Sequence, residues 1–272
     1  MTRETVKIGF IGFGNMAQAI ARGLLGAGAV RPEQICACAK NWEKLKANTL
    51  PAGMIPCPTA AETAEQADLV VLAVKPYLIQ EVTAPILELL KDKIVVSVAA
   101  GWNFEKFQEI LAPDTHLICT IPNTPVSVGE GIFVCESRHS LTEEEYRLFE
   151  ELFSSIAVVQ PVETSQLSVA GTLSGCGPAF ASMFIEALAD GAVKHGLPRA
   201  AAYRLASQML AGTGKLQLET GAHPGAMKDA VCSPGGTTIE AVAALERCGF
   251  RDAVITAQRA CSQKSRDMSL GS

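Results

Sequence analysis

The apolar run Val6 to Ile11 leads directly into Gly12-Phe13-Gly14-Asn15-Met16-Ala17, and Ile20, Leu24 and Leu25 follow at helical spacing. A strand, a glycine turn and a helix in that order leave few folds open. Gly12 permits the tight turn, Gly14 lets the backbone approach a pyrophosphate, and Ala17 lets the helix pack closely. The helix N-terminus then offers free N–H groups and the positive end of its dipole to phosphate. The pattern predicts a dinucleotide-binding unit at the start of the chain.

The rest of the first half alternates strand and helix. Strands are expected at Gln34–Cys38, Met54–Cys57, Leu69–Val74, Ile94–Val98, Leu117–Ile121, Ile132–Cys135 and Ala157–Val162. Helices are expected at Thr59–Gln66, at Leu78–Leu90 with a kink at Pro85, at Asn103–Leu111 capped by Asn103, and from the capping box Thr142–Glu145 to Phe153. Such alternation means an α/β, Rossmann-like doubly wound domain, here residues 1–162. Ligands of these sheets lie beyond the carboxyl ends of the strands. The expected cofactor contacts are therefore Gly12, Phe13, Gly14, Asn15 and Met16, then Val74, Lys75 and Pro76, then Ala99, Ala100 and Gly101, and Asn123 in Pro122-Asn123-Thr124-Pro125. The second strand ends in Cys38-Ala39-Lys40-Asn41, with no acid until Glu43 to hold a ribose 2′-OH. Lys40 and Asn41 suit a 2′-phosphate, so the expected cofactor is NADPH, with NADH possible. The alternative is that Lys40 is only a solvated charge.

After Glu163 no further strand is expected, and residues 163–272 read as an all-α domain. Gly175-Cys176-Gly177-Pro178 is expected just ahead of a helix, with Pro178 near its first position. Gly196 stops that helix, Pro198 opens another, and the last two cover about 238–248 and 252–268. Small residues such as Ala179, Ala181, Ala187 and Ala200 to Ala202 allow close helix approach. Broad apolar faces predict packing against a second copy of the chain, the alternative being a compact monomeric domain. Within this half, Ser233-Pro234-Gly235-Gly236 is turn chemistry, and a helix is expected from Thr237 or Thr238 to Gly249. A glycine turn opening a helix suits a small anion such as a carboxylate, with the Thr237 and Thr238 hydroxyls beside it. An ordinary helix start is the other reading.

Composition narrows the partners. A net charge of -5 argues against nucleic acid or an anionic membrane surface. Nine cysteines form no CxxC and are odd in number, so they read as small buried hydrophobes in a reducing, cytoplasmic setting. The four histidines have no metal-ligand spacing, so no metal is expected. No signal peptide is visible, and no apolar run approaches the length of a membrane span.

Taken in order, these pieces resemble pyrroline-5-carboxylate reductase along essentially the whole chain. The resemblance rests on Phe10 to Ala17, Val74-Lys75-Pro76, Ser97 to Gly101, Pro122 to Pro125 and, most specifically, Lys228-Asp229-Ala230-Val231-Cys232-Ser233-Pro234-Gly235-Gly236-Thr237-Thr238. That family usually has Arg three residues before the Pro-Asn-Thr-Pro loop. Cys119 stands there here, which removes the basis for an ion pair near the nicotinamide crevice. The resemblance implies an NAD(P)-binding domain followed by a helical dimerisation and substrate-binding domain, and a homodimer, with a higher homo-oligomer such as a decamer left open. It implies hydride transfer from NAD(P)H to the C=N carbon of 1-pyrroline-5-carboxylate, giving proline, the last step of proline biosynthesis. The substrate is a small cyclic imine bearing a carboxylate. Ser233, Gly235, Gly236 and Thr237 would hold the carboxylate, and the Thr238 hydroxyl would bond the ring nitrogen and serve catalysis. A β-hydroxyacid dehydrogenase is the nearest rival, but its helix-opening lysine position is Ala181 here. A non-enzymatic NADP(H)-binding regulator would not need the Ser233–Thr238 turn.

Overall fold

The computed structural model describes residues 1–270, with side chains through Asp267. The last two residues of the expected helical domain lie outside the described residues. The elements run β1 (Ile8–Ile11), α1 (Asn15–Gly26), β2 (Ile35–Cys38), α2 (Trp42–Thr49), β3 (Ile55–Pro56), α3 (Ala60–Gln66), β4 (Leu69–Leu72), α4 (Ile79–Thr83), α5 (Leu87–Leu90), β5 (Ile94–Ser97), α6 (Phe104–Gln108), β6 (His116–Pro122), β7 (Gly131–Glu136), α7 (Glu143–Phe153) and β8 (Ala157–Val162). Then come α8 (Thr164–Lys194), α9 (Arg199–Thr220), α10 (Pro224–Ala230), α11 (Thr237–Arg247) and α12 (Phe250–Leu270). The strands form one sheet in the order β3-β2-β1-β4-β5-β6-β7-β8. Pairing is parallel except between β6 and β7. The strand order reverses between β1 and β4, which is where a crevice opens in a doubly wound sheet.

Central strands are fully buried because helices cover both faces of a parallel sheet. Helix α1 turns Ala17, Ile20, Ala21, Gly23 and Leu24 to the core. Two glycines set the packing of the first strand and helix, Gly9 on β1 against the end of α3 and Gly23 on α1. A side chain at Gly9 would strike Ala67, and one at Gly23 would strike the Val126 carbonyl.

Three expectations fail for identifiable reasons. The stretch around Pro85 is broken, not kinked: α4 ends at Thr83, a 3₁₀ turn covers Ala84–Ile86, and α5 starts at Leu87. Proline has no N–H to continue the ladder. Pro178 lies inside α8, not at a helix start. Its missing N–H would orphan the Ser174 carbonyl, four residues back, but the Asn123 side-chain amide donates to that oxygen at 3.1 Å. Finally, α8 has 31 residues and an 18-residue window of mean hydropathy 1.2, so by length and composition it could cross a membrane. Alanine, glycine and serine, rather than a run of large apolar residues, give it that character, and the first charge in it is Glu186.

The change from alternating elements to helices falls after Val162, but the compact units divide inside α8. One comprises Met1–Cys176 with the chain from Ser262 onward, and the other Gly177–Cys261. Hydrogen bonds between Ser168 and Ser265 and between Thr172 and Ser262 tie the end of α12 to the start of α8. In the second unit large apolar side chains stand exposed, among them Met183, Leu205, Leu216, Leu218 and Ile255. Neither α10 nor α11 has a buried residue within the chain.

Candidate active site

Beyond the carboxyl ends of β1, β2, β4 and β5 lies a cavity of about 690 Å³. Its lining contains Gly12, Phe13, Gly14, Asn15 and Met16 from the first turn, Lys40 and Asn41 after β2, Val74, Lys75 and Pro76 after β4, and Ala99 and Ala100 after β5. Of the fourteen expected contacts, two lie outside the lining: Gly101 and Asn123. Asn123 is buried, and its side chain is spent on structure. Its Oδ1 accepts from the Ile132 N–H at 2.9 Å while its amide holds Ser174. Thr124, one residue on, lines the cavity in its place.

The cavity suits a dinucleotide on its own geometry. Gly12 sits at φ +91, where a side chain would lie 2.7 Å from the Ala73 carbonyl oxygen. At Gly14 a Cβ would meet nothing within 4 Å, so open space lies over that backbone. Gly14 is also the N-cap of α1, with no side chain covering the first amides. Gln18 donates to the Phe13 carbonyl at 2.9 Å and so fixes the turn from inside the helix. At the far end Lys40 and Lys44 are exposed, and among the described residues neither is ion-paired. Asn41 caps α2 by accepting from the Lys44 N–H at 2.9 Å. Lys44 and Asn48 were not foreseen. They follow Lys40 at steps of four, a helical spacing that becomes readable once Asn41 is seen as a cap.

The second turn belongs to the other unit. The Gly236 N–H donates to the Ser233 carbonyl at 3.0 Å, and Gly235 takes φ +67, the geometry of a type II turn with Pro234 at its first corner. Gly236 is the N-cap of α11, and no side chain caps that helix. Among the described residues the hydroxyls of Ser233, Thr237 and Thr238 have no hydrogen-bond partner. The side chains therefore do not serve as helix caps, and the amides at the start of α11 carry no side-chain acceptor. A Cβ on Gly236 would fall 2.4 Å from Ser233 Oγ, so that hydroxyl lies directly over the turn.

The Cys119 departure is also resolved in space. Cys119 is fully buried on β6, and burial, with the nearby Glu136 carboxylate, pushes its thiol well above the ordinary range. Burial likewise pushes the Cys36 and Cys135 thiols up to about 12. These are inert packing residues rather than nucleophiles. No group of three or more His, Cys, Asp or Glu side chains suited to a metal occurs among the described residues.

Two family profiles match different parts of the chain. A family profile described as pyrroline-5-carboxylate reductase dimerisation matches residues 164–268, and one described as NADP oxidoreductase, coenzyme F420-dependent, matches residues 7–101. Pyrroline-5-carboxylate reductase of Escherichia coli is 42% identical over 97% of this chain and 98% of its own length. That of Treponema pallidum is 41% identical over 96% of this chain and 100% of its own. Among solved structures, a Plasmodium falciparum pyrroline carboxylate reductase with NADP bound superposes with a TM-score of 0.87 at 29% identity, covering 98% of this chain and 99% of that one.

Proposed function

The chain belongs to the pyrroline-5-carboxylate reductase family, and from that premise we propose how its own residues carry the reaction. The protein reduces 1-pyrroline-5-carboxylate to L-proline, the last step of proline biosynthesis, with NADPH as cofactor and NADH as a possible substitute. It forms a homo-oligomer through its helical half.

The observation that carries the residue assignment is the pair of glycine turns, each opening a helix whose first amides are uncovered. The first turn, with Asn15 and Met16, cradles the pyrophosphate through backbone N–H groups. Lys40, with Asn41 and Lys44 beside it, meets the 2′-phosphate as point charges. Val74 to Pro76, Ala99, Ala100 and Thr124 wall the nicotinamide end. Hydride for the imine carbon comes from bound NADPH.

In the second unit, Ser233 and the amides following Gly235 and Gly236 hold the substrate carboxylate. Thr237 stands beside them, and Thr238 donates to or accepts from the ring nitrogen. A cyclic imine is basic enough to be partly protonated near neutral pH. The protein therefore needs to orient the imine more than to acidify it, and orientation alone supplies much of such a rate. No His or carboxylate acid is assigned for that reason.

The exposed apolar faces of α8 and α9 support a dimer as the minimal assembly, and a stack of dimers such as a decamer is the further proposal. The same faces account for the apolar character of α8 without a bilayer. The charge of -5 supports an enzyme without nucleic-acid or membrane partners, and the nine free cysteines support a reducing, cytoplasmic setting. Turnover of the imine with NADPH by the purified chain tests the whole reading. NADPH binding without turnover would leave only a dinucleotide-binding protein.

A further inference from the structure

Glu136 ends β7 and is fully buried. Among the described residues no Lys, Arg or His pairs with it. Continuing the β6–β7 register by one residue sets Cys119 opposite it, so the neighbouring strand brings no cation either. A carboxylate in such a place is costly to bury and is kept only by the hydrogen bonds it accepts. There are two. Oε2 accepts the Phe104 N–H at 2.7 Å, and Oε1 accepts the Thr164 hydroxyl at 2.6 Å.

Phe104 is the first residue of α6, and its N–H is one that the helix itself cannot satisfy. It also ends the loop Ala99–Asn103, whose Ala99 and Ala100 wall the nucleotide cavity. Besides the Lys106 ammonium, which donates to the Gly101 carbonyl at 3.1 Å, three ties among the described residues hold the loop and the start of α6. The Ala99 N–H donates to Ser97 Oγ at 3.3 Å, the Trp102 ring N–H donates to the Pro76 carbonyl at 3.0 Å, and Phe104 rests on Glu136. Pro76 is itself part of the cavity wall, so Trp102 staples one wall to the other. The Glu136 tie reaches back across the sheet to β7 from inside the fold, while Arg138, two residues past β7, holds α6 from the surface, over the Phe104 ring and paired with Glu105 at 2.8 Å.

We propose that Glu136 is a positioning residue for the nicotinamide cofactor: its buried carboxylate anchors the start of α6 and thereby sets the Ala99–Ala100 wall. The inference rests on the reading of this cavity as the NADPH site, and the test separates the two. NADPH affinity, the KM for NADPH, kcat and melting temperature are measured on wild type, Glu136→Gln, Glu136→Ala and Thr164→Val. Gln keeps an oxygen for the Phe104 N–H and can turn its amide to the Thr164 hydroxyl, so its KM for NADPH stays within about twofold of wild type. Ala leaves the Phe104 N–H without a partner, and the KM for NADPH rises about tenfold while kcat at saturating cofactor falls less. Thr164→Val cuts only the bond to α8 and lowers the melting temperature without moving the KM for NADPH. Should Glu136→Ala fail to fold, Glu136→Asp, one methylene short of Phe104, carries the same expectation of a raised KM. An unchanged KM for NADPH in folded Ala or Asp variants overturns the proposal, as does an equal rise in Thr164→Val. Wild type that fails to bind NADPH overturns the cavity reading, and the proposal with it.

Discussion

Two glycine turns open two helices in this protein, and they are built to different standards. Around Gly12 the obstacles to a side chain are backbone: the Ala73 carbonyl oxygen and carbon, at 2.7 and 2.9 Å, stand beside Val74. The helix that follows buries five residues in the core of its own chain. Around Gly236 the nearest obstacle is the Ser233 hydroxyl, which can rotate away, and α11 buries nothing within the chain. The turn proposed for the cofactor is thus rigid before any partner arrives. The turn proposed for the substrate sits in a unit with exposed apolar faces, in the stretch matched by a dimerisation profile. A dinucleotide has many fixed contact points and rewards a preformed cradle. A five-membered imine offers only a carboxylate and one nitrogen, and a short turn with a few hydroxyls can meet both.

The sharpest break between the two comes from adding a side chain to each. Gly12→Val forces a β-branched residue to φ +91 against backbone, at a cost on the order of 3 kcal/mol or more. It should abolish NADPH binding and lower the yield of folded protein. Gly14→Ala meets no atom of the chain, so its melting temperature should equal wild type while NADPH affinity falls at least about tenfold, because the methyl occupies the space a pyrophosphate must enter. Gly236→Ala should fold, keep NADPH affinity and raise the KM for the imine. Loss of NADPH affinity in Gly236→Ala would erase the distinction between the turns.

Next in size is Thr238→Ala. Losing one hydrogen bond to a charged partner costs roughly 1.5–3 kcal/mol, or about 10- to 150-fold in kcat/KM. The loss should fall on imine reduction with NADPH affinity nearly unchanged, and Thr238→Ser should recover much of it. Ser233→Ala should act mainly on the KM for the imine. Because no side chain caps α11, neither substitution should lower the melting temperature appreciably. Normal kinetics in a folded Thr238→Ala protein would remove that residue from the mechanism.

How far the sequence could be read follows the same contrast. The first turn was legible because everything it needs lies between Val6 and Leu25: a strand, two glycines, a small residue and a helix. The sheet was legible because buried parallel strands read as short apolar runs. What escaped depends on partners distant in sequence. Pro178 looked like a helix start because the group that rescues it, Asn123, is 51 residues from Ser174. The same bond explains why Asn123 packs against α8 and leaves the cavity wall to Thr124. Lys44 escaped because α2 is short and weakly patterned. Helix α10 escaped because seven residues opened by His223 and Pro224 make too few turns to show a period. Glu136 escaped because one acid at a strand end carries no sign of burial.

The cofactor's far end gives a smaller effect. Lys40 and Lys44 are exposed, so each contributes a screened charge. Lys40→Glu should raise the KM for NADPH about tenfold and the KM for NADH much less. Lys44→Glu should act in the same direction more weakly, since its residue sits a helical turn further out. Equal losses with both cofactors would show that Lys40 does not read the 2′-phosphate.

The smallest effect tests whether the first unit is self-sufficient in stability as well as in shape. Thr142 and Glu145 form a capping box at the start of α7, and Glu145 also meets His116 Nδ1 at 2.6 Å. Burial works to raise the Glu145 carboxyl, but the Thr142 N–H and His116 outweigh it and hold the group below its ordinary 4.5. A depressed carboxylate stabilises the fold fully above its unfolded value, and that contribution is lost as pH falls through the folded one. Glu145→Gln should therefore lower the melting temperature by a few degrees at pH 7, and the gap from wild type should close in acid below about 4.5. The group is partly exposed, so no more than about 1 kcal/mol is expected from it. Because α7 packs through Leu148, Phe149, Leu152 and Phe153 into the core of its own chain, the shift should be the same at every protein concentration. Leu205→Ser, on the exposed apolar face of α9, should instead give a shift that grows on dilution, since burying that face takes a second copy. A Glu145→Gln shift that grew on dilution in the same way would mean that the first unit, too, depends on assembly for its stability.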